Sequence, residues 1–137
     1  MEDCIFCRMG RGKQPCMKVY EDEYTLALMD IAGDVDGHML VIPRQHCTCI
    51  LDCSDEMLTR VTATVKKVAV HLVNNCGYDG VDLMSANGEA AGQSLAHFHV
   101  HIIPRRKNDG LGGRGEWPSF PGKTQEIPAL HEKLRIK

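Results

Sequence analysis

Leu95-Ala96-His97-Phe98-His99-Val100-His101-Ile102-Ile103 is the stretch that decides how this chain is read. Histidine alternates with an apolar residue at a spacing of two. On a β-strand that spacing turns His97, His99 and His101 to one face and Phe98 and Val100 to the other. Imidazole is the side chain whose ordinary pKa lies closest to neutral. Three on one face make either a metal cradle or a nucleophile with its supporting groups. The bland alternative, a solvated histidine-rich face, carries little weight because of what precedes it. Asn87-Gly88-Glu89-Ala90-Ala91-Gly92-Gln93-Ser94 leads directly into the triplet. Its glycines and serine let backbone amides and a hydroxyl approach an anion closely. A phosphate held by that turn sits beside His99 and His101, which suits attack on phosphorus by an imidazole.

Working outward, the remaining elements are legible. Met17 to Glu21 and Tyr24 to Asp30 read as a hairpin around Asp22-Glu23, and His38 to Pro43 as a third strand. Ser54 is a helix N-cap, with Asp55 and Glu56 in the first turn. From there Met57, Leu58, Val61, Val65, Val68, Ala69, Leu72 and Cys76 recur at three- and four-residue steps. That pattern predicts one long amphipathic helix closed by Gly77. Val81 to Ala86 and Leu95 to Ile103 read as further strands. The segment from Arg105 is rich in glycine, proline and charge and reads mostly as loop. Strands on either side of a single long helix predict an α+β domain with an antiparallel sheet. No internal repeat, linker or second domain interrupts residues 1–137.

Bulk properties exclude some classes. A chain of 137 residues supports one domain with a real core. The apolar fraction of 43% and charged fraction of 25% are those of a soluble globule. A net charge of −2 gives no reason to expect nucleic acid or an anionic membrane as partner. No apolar run reaches membrane-spanning length, and the acidic start at Met1-Glu2-Asp3-Cys4 lacks signal-peptide architecture. Seven cysteines without such a signal predict a reducing cytoplasm, with thiols or metal rather than a disulfide framework.

A second chemical motif is Cys4-Ile5-Phe6-Cys7. Two thiolates at this spacing are half of a tetrahedral zinc site. A redox pair opens a helix in a βαβ setting, which is not evident here. The remaining zinc ligands are sought among His46 and the strand histidines.

The sequence resembles the histidine triad (HIT) nucleotide hydrolases and transferases. His97 to Ile103 fits their alternating signature, and Cys4 to Cys7, Ala27 to Ile31, Gly37 to His46 and Asn87 to Ser94 fall where that family has its other blocks. The likeness covers about Cys4 to Arg105, leaves 106–137 as an irregular tail, and is nearest the Hint phosphoramidases. It implies a five-stranded antiparallel sheet, one long helix, a short N-terminal helix and a homodimer across which the sheet extends. It implies a purine nucleotide substrate, with His99 as the nucleophile oriented by the His97 carbonyl, and His101, Ser94, Gln93, Gly92 and Asn87 around the phosphate and leaving group. Asp30 matches the carboxylate that takes the ribose hydroxyls; Ile5, Phe6, Met9, Leu28 and Ile31 match the apolar purine pocket. Cys4, Cys7, His46 and His97 match a structural zinc site. His38 lies near the family site; His71 and His131 match nothing. Cys16, Cys47, Cys49, Cys53 and Cys76 belong to no family motif, so a rearranged metal site stays open. In Hint-like relatives a tryptophan near the C-terminus shapes the site across the dimer; the resemblance offers Trp117 as its counterpart, with the register across 108–115 left open.

These readings converge on hydrolysis of a nucleoside 5′-phosphoramidate or a related nucleotidyl compound. The alternatives are a dinucleoside polyphosphate hydrolase, a zinc enzyme whose strand histidines hold a catalytic ion, and a nucleotide-binding adaptor with little turnover. Asp30 and the serine-glycine loop favour phosphate and ribose over catalytic zinc.

Overall fold

The computed structural model describes residues 4–31, 35–111 and 126–137. Its elements run α1 (Ile5–Gly10), β1 (Lys18–Glu21), β2 (Thr25–Met29), β3 (Met39–Pro43), α2 (Asp55–Cys76), β4 (Gly80–Met84), β5 (Val100–Arg105) and α3 (Ile127–Leu134), with a single 3-10 turn at Glu89–Ala91. The five strands form one antiparallel sheet in the order β1-β2-β3-β5-β4. This is the α+β architecture expected from the sequence.

Alternation along β2 and β3 sorts the core into two layers. Ala27, Met29, Met39 and Val41 face α2, packing with Val61, Val65, Val68 and Leu72. Leu26, Leu28, Leu40 and Ile42 face the other way, onto Phe6 and Met9 of α1. Every residue of both strands is buried, as expected of central strands covered on both faces. Helix α2 begins where Ser54 Oγ accepts the Met57 amide at 3.1 Å and ends where Gly77 turns left-handed at φ 80°. A side chain at Gly77 would pay for that φ in strain. A buried 2.6 Å hydrogen bond between the Thr25 and Thr64 hydroxyls pins β2 to α2. Arg44 fastens α1 to the first hairpin, donating to the Gly10 carbonyl at 2.6 Å and the Asp22 carbonyl at 2.8 Å.

Two sequence expectations are corrected. The last strand starts at Val100, not Leu95, and runs to Arg105. The backbone before it is bonded elsewhere: the Phe98 amide donates to the Cys47 carbonyl at 2.8 Å, and the His97 carbonyl accepts from a side chain. The tail is not loop throughout, because α3 occupies Ile127–Leu134. Its Pro128 sits at the helix start, where a missing amide costs nothing. Leu130 and Leu134, four apart, are buried in the α2 layer. His71 and His131 serve this helix: His71 Nε2 donates to the Leu134 carbonyl at 2.8 Å, and His131 Nε2 donates to the Lys18 carbonyl. Among the described residues no helix is long and apolar enough to cross a membrane. Trp117 lies outside the described residues.

Candidate active site and metal centre

The sheet's α1 face carries the chemistry. Leu40 on β3 pairs with His101 on β5, so His101 emerges beside the strand that α1 covers. His99 stands one step earlier, its ring centroid 5.0 Å from that of His101. Phe6 meets His97 and His99 edge-on at 5.5 and 5.4 Å. The alternation read from sequence therefore survives even though 95–99 is off the ladder.

Hydrogen bonds assign the tautomers. His99 Nδ1 lies 2.7 Å from the carbonyl oxygen of His97. A carbonyl only accepts, so Nδ1 carries the proton and Nε2 of neutral His99 carries a free lone pair. The ring is nearly buried, at 6% exposure. His101 is set the other way. Its Nδ1 lies 2.7 Å from His38 Nε2, which is itself 3.5 Å from a carboxylate oxygen of Asp30. An unprotonated His38 Nε2 would set its lone pair against the carboxylate. The proton therefore sits on His38 Nε2, His101 Nδ1 accepts it, and His101 Nε2 becomes a donor. Two imidazoles two residues apart thus present opposite functions. Asp30 and His38 are aligned by a 2.9 Å bond from the Asp30 amide to the His38 carbonyl.

The second constellation gathers four donors. Cys4 Sγ and Cys7 Sγ lie 3.3 and 3.5 Å from His97 Nδ1, Cys7 Sγ lies 3.3 Å from His46 Nδ1, and the two imidazole nitrogens are 3.2 Å apart. A tetrahedral zinc ion with ordinary bond lengths separates S and N ligands by about 3.5 Å and two N ligands by about 3.3 Å. The donor set fits such an ion. His97 Nε2 donates to the Pro43 carbonyl at 2.8 Å, leaving Nδ1 as the lone-pair nitrogen aimed at the thiols. Burial, with His46 and His99 adjacent, lowers the His97 pKa to about 4 against the pull of the Pro43 carbonyl. The ring is neutral, as a ligand must be. Burial and the neighbouring Cys4 push the Cys7 thiol up, a penalty that a bound cation reverses. Among the described residues Cys47, Cys49 and Cys53 join no such group.

The phosphate-side residues cluster at the loop after β4. Asn87 Oδ1 accepts the Ile50 amide at 2.8 Å, and its Nδ2 reaches Ser85 Oγ at 3.0 Å. Gln93 accepts the Gly88 amide at 2.8 Å and donates to the Thr48 carbonyl at 2.6 Å and the Leu95 carbonyl at 2.9 Å. Both amides act as staples between this loop and 47–52. Gly92 turns at φ 86°, and Ser94 follows it, exposed. Of the apolar set, Phe6, Met9 and Leu28 share one cluster with Ile5 against it, while Ile31 is 75% exposed.

These observations meet an independent finding: the HIT domain profile matches residues 11–108. The chain belongs to the HIT domain family. "Protein hit" of Bacillus subtilis is 43% identical over 134 residues, covering 97% of this chain and 92% of that one. "Adenosine 5'-monophosphoramidase hnt1" of Schizosaccharomyces pombe is 38% identical over 134 residues, covering 98% and 97%. Among solved structures, a Zn-bound histidine triad family protein from Mycobacterium smegmatis superposes with a TM-score of 0.84 at 30% identity, covering 98% of this chain and 91% of that one.

Some contributors to this HIT site are silent in sequence. Ser85 Oγ donates to the His99 carbonyl at 3.0 Å, and the Pro43 carbonyl orients the His97 ring. Backbone acceptors leave no side-chain signature. Thr48, Leu95 and Ala96, with Ile5 and Phe6, line a groove of about 460 Å³ against Cys4 and His46.

Proposed function

We propose that this HIT protein hydrolyses a purine nucleoside 5′-phosphoramidate, or a related compound with a labile group on the α-phosphate, through a nucleotidyl-His99 intermediate. The observation that carries the reading is the 2.7 Å bond from His99 Nδ1 to the His97 carbonyl. It leaves the unprotonated nitrogen at Nε2 of a nearly buried ring. The Nε2 lone pair forms a bond to phosphorus as the bond to the leaving nitrogen breaks, and the nitrogen takes a proton from solvent and leaves as the amine. Water then attacks phosphorus and gives up a proton to solvent, the N–P bond breaks with its electron pair returning to Nε2, and the nucleoside monophosphate departs with neutral His99 restored. His101 Nε2–H donates to a non-bridging oxygen, with Ser94 and the amides near Gly92 as further donors. Asp30 receives the ribose hydroxyls, and Phe6, Met9, Leu28, Ile5 and Ile31 receive the base. The monophosphoramidase name carried by the fission-yeast relative supports this substrate class.

In the same proposal Cys4, Cys7, His46 and His97 hold a structural zinc ion. Four protein donors leave it no open position; when bound, it supplies cross-linking. It ties α1 to the segment carrying His99. The protein works as a homodimer in a reducing cytoplasm. None of the seven cysteines is in a disulfide, and the edge strand β4 exposes Leu83, with Val70 and Val73 exposed on α2. The test is rapid-quench turnover of phosphorus-labelled adenosine phosphoramidate. Acid-labile, base-stable label on His99 is expected. Label on another residue, or turnover of diadenosine polyphosphates alone, overturns the reading.

A further inference from the structure

Asp30, His38 and His101 form a second ligand cluster, separate in composition from the thiolate set. One carboxylate oxygen and two ring nitrogens lie within 4.8 Å of one another. Three different segments bring them together and each is fixed by backbone. The Asp30 amide bonds the His38 carbonyl at 2.9 Å, and the Leu40–His101 register of β3 and β5 places the third member. His38 is 6% exposed and the Asp30 side chain 18%, so the cluster is enclosed but reachable.

Two imidazole nitrogens and a carboxylate are a donor set for borderline divalent cations such as Zn²⁺, Co²⁺ and Ni²⁺. Three protein donors leave an open position for water or a phosphoryl oxygen. At present His38 Nε2 and His101 Nδ1 share a proton across 2.7 Å. Two nitrogens on one ion stand about 3.3 Å apart. An ion therefore displaces that proton, which moves to His38 Nδ1, and the two rings part by about half an ångström. Asp30 already lies 3.5 Å from His38 Nε2, the separation expected of an oxygen and a nitrogen on one ion to within a few tenths of an ångström.

We propose that Asp30, His38 and His101 form a second divalent-cation site, and that its occupancy excludes the ribose of the nucleotide. The cation site stands on its own geometry. The exclusion rests on the reading of Asp30 as the ribose acceptor, because one carboxylate serves both. The cation thus becomes a reversible inhibitor of nucleoside binding that acts without touching the thiolate centre.

The experiment starts from protein holding one equivalent of Zn²⁺ and titrates Co²⁺ by calorimetry and absorbance. A second equivalent is expected, without a thiolate-to-cobalt charge-transfer band. Asp30→Asn and His38→Gln should each weaken it by at least about tenfold while keeping the first zinc and the melting temperature. Adenosine, which has no phosphate to attract the ion, should bind about tenfold more weakly once the second site is filled. No second equivalent at saturating Co²⁺, or one that survives both substitutions, overturns the site. Unchanged adenosine affinity with the site filled overturns the exclusion. Adenosine that fails to bind even with the second site empty overturns the nucleotide reading and with it the exclusion, while ion stoichiometry still decides the site.

Discussion

Ser85 Oγ donates a 3.0 Å hydrogen bond to the carbonyl oxygen of His99. Ser85 also receives Asn87 Nδ2, and Asn87 Oδ1 in turn accepts the Ile50 amide. A chain of polar contacts thus runs from the loop 47–52 to the backbone of the proposed nucleophile. Ser85→Ala leaves a nearly buried acceptor without its partner, at a cost of about 1–3 kcal/mol. The expected outcome is a kcat about tenfold lower with KM little changed, because the attacking ring shifts while the nucleoside contacts stay. A fall in KM affinity alone would show that Ser85 serves binding instead.

His99→Ala should abolish turnover and leave nucleotide affinity largely intact, since Phe6, Leu28 and Asp30 are untouched. His101→Ala should keep measurable activity, because a phosphate donor is lost but the nucleophile is not. Single-turnover rates and calorimetry on the same preparations separate the two effects. Near-normal rates in His99→Ala would end the covalent mechanism.

Much of this site was legible because its chemistry is written in side chains with fixed periods. Alternation put His97, His99 and His101 on one face, and the Cys4–Cys7 spacing marked half of a tetrahedron. The ladder itself was not legible at 95–99. The histidine alternation is the same whether Phe98 bonds a neighbouring strand or, as here, the Cys47 carbonyl. Helix α3 is not legible in the sequence because eight residues carry only about two turns of periodicity, and a glycine- and proline-rich stretch precedes it. The His97 carbonyl that sets the His99 tautomer was expected from the resemblance, whereas the opposite tautomer of His101 depends on His38 and Asp30, which are more than 60 residues away in sequence.

Asp30→Asn tests the ribose contact. Charge-assisted hydrogen bonds of this type contribute about 1.5–3 kcal/mol. The substitution should weaken a ribonucleotide about tenfold or more and its 2′-deoxy counterpart less. Equal losses in calorimetry would make Asp30 a structural partner of His38 and nothing more.

The metal centre gives the last prediction, with a sign that can be worked out. Native protein should carry close to one zinc per chain, lost in Cys4→Ser/Cys7→Ser, with a lower melting temperature and an indirect loss of activity. In metal-free protein His97 ionises near its ordinary 6.5 when unfolded but at about 4 when folded, because burial disfavours the charged ring. The unfolded chain therefore binds more protons between these values. Stability contributed by the neutral ring is present above pH 6.5 and is lost as pH falls toward 4, by about 3 kcal/mol in all. Denaturant midpoints measured on metal-free protein across that window should drop steeply for the wild type and less for His97→Gln. Parallel pH profiles for the two would show that His97 does not carry the acid sensitivity.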